Sequence, residues 1–412
     1  MPSTSNSSRY IRRSLEATLR KAAGQFPAVI LTGPRQSGKT TLLQHVFGRR
    51  YAYVSLEPPD VRASAAADPR GFLAEHAPPV MFDEIQYAPD LLPYIKEIID
   101  ADRNRMGQYL LTGSQNLLMM ERVSETLAGR TAVLRLLPLS HREILDLPDA
   151  PLAWESPRRG QKSKSVSKAR LWEGFLRGGY PELVAHPRRD ASLWQAGYVQ
   201  TYLERDVRTL RQIADLSQFQ LFLRALAARN AQLLNFTELA RDLGLSVNTV
   251  KNWLSILEAS YQIMILRPYF VNTGKRLVKT PKVYFTDIGT LCYLTGLQNP
   301  KHAAAGPMGG SILETAVLME IVKTYYHRGM EPPVYFWRTS DGREVDIVLD
   351  GPDGLVPIEV KLSATPTPKM AAGILSFQNE FPNRSTKGYV VHPGEVSPPL
   401  GPNVQALPFF CL

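Results

Sequence analysis

Gly33-Pro34-Arg35-Gln36-Ser37-Gly38-Lys39-Thr40, set between the apolar run Ala28-Val29-Ile30-Leu31 and the helix-like stretch Thr41 to Phe47, decides the fold of this chain. Strand, glycine-bearing loop, Lys-Thr and helix in that order make a phosphate-binding loop. Gly33 and Gly38 allow backbone geometries that other residues resist, so successive N–H groups can curl around an anion. The helix that follows points its positive end at the same place. Lys39 supplies a cation for the β- and γ-phosphates, and Thr40 a hydroxyl for Mg²⁺. The expected nucleotide contacts are Gly33, Pro34, Arg35, Gln36, Ser37, Gly38, Lys39, Thr40 and Thr41.

Two further strands refine this. Pro79-Val80-Met81-Phe82-Asp83-Glu84-Ile85 is an apolar run ending in two carboxylates. Asp83 can hold the Mg²⁺ shell, and Glu84 can polarise an attacking water as a general base, which favours hydrolysis. Gln108 to Gln115 is a strand with a polar end. Ser114, with Thr112 as the alternative, is expected to face the γ-phosphate.

The segments Gly33–Leu42, Val80–Gln86, Tyr109–Met119 and Leu127-Ala128-Gly129-Arg130 before Ala132–Leu139 resemble a prokaryotic branch of the AAA-type ATPases. Gly178-Gly179-Tyr180-Pro181-Glu182, Tyr202–Val207 and Lys282–Gly289 extend the likeness over nearly the whole chain. The resemblance implies an ATP-binding core, a helical and winged-helix middle, and a nuclease-like end. An ATPase of that class needs a positive charge on the transition-state phosphate. Arg130 is the leading candidate and Arg205 the second; if either acts across a subunit boundary, a homo-oligomer is required.

The fold expected is α/β and multidomain. A basic arm and helix occupies 1–25, with the helix over Tyr10 to Ala23. A parallel-sheet core occupies 26–150, a basic linker 151–169, a helical lid-like region 170–230, a winged helix-turn-helix 231–300, and a restriction-endonuclease-like α/β domain 301–412. Within 151–169, Arg158 to Lys164 has nothing to bury.

Composition sets limits. The chain has 412 residues, 44% hydrophobic and 21% charged, which is ordinary globular usage spread over several domains. No apolar stretch is long enough to span a bilayer, and residues 1 to 13 lack the apolar core of a signal peptide. Cys292 and Cys411 make neither a metal spacing nor a disulfide framework, so a reducing cytoplasm is expected. A net charge of +10 suits nucleic acid.

Phe236 to Ser246 and then Val247 to Ala259 read as helix, turn and helix, with Ser246 as cap. Asn248, Thr249 and Lys251 would stand at the exposed start of the second helix, and Lys275, Arg276 and Lys279 on the wing. Further on, Glu314 on a helix, Asp346 on one strand, and Glu359 with Lys361 on the next resemble a PD-(D/E)xK nuclease core, with Val345 in place of the leading proline. Alternate strand residues share a face, so Glu359 and Lys361 project together. The three acids are hard donors suited to a second Mg²⁺ or Mn²⁺, and Lys361 can orient or deprotonate a water.

The expectation is therefore a cytoplasmic, Mg²⁺-dependent ATP hydrolase that docks to DNA through its C-terminal domains. Two alternatives stand beside it: a metal-dependent nuclease gated by ATP, and a signalling or scaffold ATPase without nucleic-acid contact.

Overall fold

The apolar run before the phosphate loop forms β1 (Ala28–Thr32), buried along its whole length. A strand buried on both faces needs neighbours on both edges, and β1 has them. The computed structural model describes residues 10–114, 125–155, 166–203, 216–269 and 280–412. With β2 (Ala52–Ser55), β3 (Val80–Asp83), β4 (Tyr109–Gly113) and β5 (Thr131–Arg135), β1 makes an all-parallel sheet in the order β2-β3-β4-β1-β5. The polar-ended strand β4 thus lies between the loop strand and the acidic strand. Parallel strands finish at one edge, so the loop after Thr32, Asp83 at the end of β3, and Thr112 in β4 are drawn together. The register pairs Thr32 with Gly113 and Phe82 with Leu111.

The first helix runs over Leu15–Gln25 rather than from Tyr10. Ahead of it Arg13 is committed elsewhere. Its guanidinium donates to Glu143 Oε1 at 3.1 Å, to the Ser37 carbonyl at 2.9 Å and to the Leu137 carbonyl at 2.6 Å. The supposed linker is tied down at both flanks: Leu152 is fully buried, and Lys168 already opens the helix Lys168–Arg177. The basic run Arg158 to Lys164 lies outside the described residues.

The middle of the chain is helical, with Lys168–Arg177, Pro181–Ala185, Ala191–Tyr198 and Leu216–Ala228. Phe236–Asp242 and Val247–Ala259 follow as helix, turn and helix, and the Ser246 hydroxyl accepts from the Thr249 N–H at 3.0 Å. Then β6 (Ile263–Leu266) and β7 (Lys282–Phe285) pair antiparallel.

The last third is a six-stranded mixed sheet in the order β12-β13-β11-β10-β9-β8. Its strands are β8 (Val334–Arg338), β9 (Glu344–Gly351), β10 (Gly354–Val360), β11 (Gly388–His392), β12 (Pro399–Gly401) and β13 (Val404–Pro408). The long helix Gly309–His327 is apolar on nearly every side because it is enclosed between this sheet and the rest of the chain. One continuous core joins the helical middle to this sheet, running from Trp172 and Phe222 through Tyr284 to Phe336.

Candidate functional site

At the C-terminal edge of the parallel sheet the phosphate loop takes the geometry its glycines permit. Gly33 has φ +151° and Gly38 φ +92°, and a Cβ on Gly33 would lie 2.1 Å from the Leu136 carbonyl oxygen. Such a substitution would force the loop apart. Gln36 and Glu84, neither of them glycine, also sit at φ 59°. Strained backbone gathers where chemistry must be positioned.

The side chains form one connected set. Thr40 Oγ1 donates to both Asp83 carboxylate oxygens, at 2.9 and 3.0 Å. The Tyr53 hydroxyl donates to Asp83 Oδ2 at 2.8 Å, and the Thr112 hydroxyl donates to Oδ1. Thr112 also accepts the Glu84 N–H at 3.0 Å. The Ser114 hydroxyl donates to Glu84 Oε2 at 3.0 Å, and the Gln86 amide donates to the same oxygen. Burial alone would raise the Glu84 carboxyl. Lys39, the Gln86 amide, Arg35 and Ser114 together outweigh burial and hold it below the usual carboxylate range. Glu84 is therefore an ionised acceptor at neutral pH. Lys39 is buried and donates to the carbonyls of Gly33 and Pro34 at 3.0 and 2.9 Å.

Three of these groups, Lys39, Thr40 and Glu84, open onto a cleft of about 480 Å³. Its floor includes Lys39, Thr40 and Glu84; its walls come from Tyr10 before the first helix and from Pro181 and His186 around the short helix Pro181–Ala185. The two walls were not foreseen as site residues. Gly178 to Glu182 was noticed as a motif, but nothing in the chain order places it over a loop some 140 residues earlier. Tyr53 and Gln86 were likewise missed; Gln86, two residues past Glu84, was the legible one.

The arginines fall elsewhere. Arg130 precedes β5, so it lies at the opposite edge of the sheet from the loop, where it pairs with Asp100 at 2.6 Å. Within one chain it is remote from the phosphate position, because the residue before a parallel strand and the residue after it stand at opposite edges, which leaves only the form in which it acts across a subunit boundary. Arg205 lies outside the described residues. Arg35, in the loop itself, reaches the Tyr87 hydroxyl at 3.4 Å.

Glu314, Asp346, Glu359 and Lys361 come together between the helix Gly309–His327 and strands β9 and β10. Asp346 Oδ2 accepts the Val360 N–H at 2.8 Å, and Lys361 Nζ donates to Glu359 Oε1 at 2.5 Å. Glu359 Oε2 is buried with no hydrogen-bond partner. Burial, then the Asp346 charge, pushes Glu314 up to about 7 and Glu359 up to about 8, and burial raises Asp346 too. Burial pulls the Lys361 ammonium down, but Glu359, Asp346 and Glu314 outweigh it, so Lys361 stays charged and is no general base at neutral pH.

A lysine that sequence reasoning passed over completes the cluster. Lys282 Nζ lies 3.1 Å from Glu314 Oε1 and 2.5 Å from Glu344 Oε1, and the Tyr284 hydroxyl donates to the same Glu314 oxygen at 2.5 Å. Among the described residues no three acidic, histidine or cysteine side chains are arranged to hold a metal ion. The donor chemistry suits a divalent cation, but the arrangement does not.

On the helix-turn-helix, Asn248 and Lys251 are exposed and Thr249 is half-buried; Lys251 Nζ stands 5.7 Å from the Phe236 ring centre. Lys275, Arg276 and Lys279 lie outside the described residues. Among the described residues no helix is long and apolar enough to cross a membrane.

Three stretches of the chain match known domain families. An AAA domain matches residues 25–145, a domain of unknown function (DUF8612) matches 168–301, and another (DUF4143) matches 309–412. Uncharacterized proteins of Mycobacterium tuberculosis and Mycobacterium bovis are each 31% identical over 402 residues, covering 96% of this chain and 83% of theirs. An uncharacterized protein of Haemophilus influenzae is 22% identical, over 80% of this chain and 81% of its own. Among solved structures, a Walker-type ATPase of Pyrococcus abyssi is 16% identical with a TM-score of 0.46, over 71% of this chain and 98% of that one.

Proposed function

This chain belongs to the family of those mycobacterial proteins, its own AAA domain makes it a P-loop ATPase by fold, and on that premise we propose that it hydrolyses ATP to ADP and phosphate. The observation that carries the reading is the joined set Thr40–Asp83 and Glu84–Ser114 at the mouth of the phosphate loop. The triphosphate would lie along the N–H groups of Gly33 to Thr41, with Lys39 turned from its loop carbonyls to the β- and γ-oxygens. Thr40 and Asp83 have the donors and spacing to hold Mg²⁺, which when bound supplies charge shielding for the phosphates. Glu84, ionised and freed from Gln86, would take the proton of a water attacking the γ-phosphorus. Ser114 would keep that carboxylate aimed. Arg130 is remote from this set within one chain, so it would serve only from a second copy.

Isothermal titration with ATP tests binding, and phosphate release tests turnover. Binding that survives Glu84→Gln with turnover lost supports the reading; turnover unchanged in Glu84→Gln removes the base assignment.

DNA is the partner that best fits the net charge of +10 and the exposed Asn248 and Lys251 at a helix start. Stimulation of ATP turnover by duplex or single-stranded DNA is the expected result. The reading of the C-terminal domain as a metal-dependent nuclease draws on one observation, the buried Glu359 Oε2 with no hydrogen-bond partner, and would need the acids to rearrange around the ion. Cleavage of DNA with Mn²⁺, lost in Lys361→Ala while ATP turnover persists, would support it.

A further inference from the structure

The positive charge that Arg130 cannot bring to the phosphate position within one chain has a nearer source. Arg35 belongs to the phosphate loop itself, in a tight turn closed by the Ser37 N–H on the Pro34 carbonyl at 3.3 Å. Arg35 and Gln36 are the central residues of that turn, and Gln36 takes the left-handed φ of 59° that closes it. The half-buried Arg35 side chain leaves the loop there and crosses to the end of the acidic strand. Its Nη2 stands 3.4 Å from the hydroxyl of Tyr87, three residues past Glu84. The Arg35 charge is also felt at Glu84: burial raises that carboxyl, and Lys39, the Gln86 amide and then Arg35 lower it. A γ-phosphate cradled by the loop and attacked by a water on Glu84 would lie between these two elements, the span that Arg35 covers.

Taking ATP hydrolysis as the activity, we propose that Arg35 supplies the transition-state charge in cis, exchanging the Tyr87 hydroxyl for γ-phosphate oxygens, so that one chain carries a complete catalytic set. A guanidinium contact of 3.4 Å to a neutral hydroxyl is long for a hydrogen bond. The same fork on a phosphate makes parallel, charge-assisted bonds, so the exchange runs toward the nucleotide. In the step itself the water oxygen bonds to the γ-phosphorus while the bond from that phosphorus to the β,γ-bridging oxygen breaks. Glu84 takes the water's proton, and ADP leaves with the electron pair. Arg35 changes no bond; it offsets the charge spread over the equatorial oxygens.

Arg13 also lines the cleft, but it is fixed. Its guanidinium holds Glu143, the Ser37 carbonyl and the Leu137 carbonyl, and its departure would strand a buried carboxylate. Arg62, on the helix Pro59–Ala67, lies over the Tyr87 ring at 4.9 Å from its centre and so helps fix the hydroxyl that Arg35 meets.

Phosphate release and ATP calorimetry on the full chain test the proposal. Arg35→Ala is expected to lose about 10³- to 10⁵-fold in kcat, with ATP affinity changed far less. It is also expected not to capture ADP with aluminium fluoride, a mimic of the transferring phosphoryl group that the unaltered protein should trap. Arg35→Lys keeps the charge without the fork and should recover only part of the turnover. Co-expression of Arg35→Ala with Lys39→Ala separates cis from trans. The Lys39→Ala chain keeps Arg35 but holds no nucleotide, so it rescues its partner only if the arginine acts from a second copy; no rescue is expected. Rescue would overturn the cis assignment. An unchanged kcat in Arg35→Ala would overturn the role itself, and so would loss of ATP binding in that variant, which would make Arg35 a ground-state contact. An unaltered protein that binds ATP but neither releases phosphate nor traps aluminium fluoride would remove the hydrolysis reading, and this one with it.

Discussion

Asp83 and Glu84 end a strand beside Lys39; Asp346 and Glu359 stand on neighbouring strands beside Lys361 and Lys282. The residue types are the same, but their surroundings are opposite. In the phosphate-loop site Asp83 is met by the hydroxyls of Thr40, Tyr53 and Thr112, Glu84 by the Ser114 hydroxyl and the Gln86 amide, and Glu84 is held ionised below its usual range. In the C-terminal cluster the acids face each other out of water, and Glu314 and Glu359 are pushed up instead. The difference teaches that a carboxylate's neighbours, more than its depth, decide whether it is ready for chemistry. The first set opens on a cleft with room for a ligand. The second already holds a cation of the protein's own.

The largest expected effect breaks the first site. Glu84→Gln should lower ATP turnover by about 10²- to 10⁴-fold, the scale of general-base catalysis, with ATP binding retained in calorimetry. Lys39→Ala should remove the binding itself, so the two variants separate positioning from chemistry.

Next in size is the junction between the two sites. Glu143 is fully buried between Arg13, at 3.1 Å, and His327 Nδ1, at 3.1 Å. Glu143→Gln should cost about 3–5 kcal/mol of stability, as loss of one partner from a buried charge pair does, read as a fall in Tm. Burial would raise Glu143, but Arg13 and His327 hold it well below its usual range, and burial holds His327 below the ordinary value of 6.5. Both folded values are depressed. The stability they contribute is therefore present above the unfolded values and is lost as pH falls below them, from 6.5 downward for His327 and from 4.5 downward for Glu143, until the lower folded values are passed. Melting curves from pH 7 down to pH 5 should show a falling Tm that flattens in His327→Gln.

A smaller effect sharpens the comparison. Tyr53→Phe removes one of the hydroxyls on Asp83 and should change stability by about 0.5–1.5 kcal/mol, with turnover preserved if Thr40 and Thr112 suffice to fix that carboxylate. The smallest concerns neither site. Lys251→Ala should weaken DNA binding a few-fold and reduce the salt dependence by about one ion per site.

Much of the first site was legible because its parts are local. A glycine loop after a buried strand, two acids ending another, and a polar end on a third all follow from chain order, and a parallel sheet brings strand ends to one edge. The same rule, applied to the residue before a strand, would have excluded Arg130 in cis. The acids of the second site were legible by strand alternation, which puts Glu359 and Lys361 on one face. Lys282 was not. Its partners Glu314 and Glu344 lie in another domain, and only the docking of the β6–β7 hairpin against β8 brings them within reach. Strands β11, β12 and β13 were also passed over, although Gly388 to His392 is a buried apolar run.

Arg13 has a consequence for how the protein is handled. The chain ahead of the first helix supplies Tyr10 to the cleft and the guanidinium that grips the Ser37 carbonyl. A preparation trimmed to begin at Ser14 would keep every signature segment of the ATPase intact on paper. It would nonetheless expose a wall of its nucleotide chamber to solvent and leave Glu143 without its arginine.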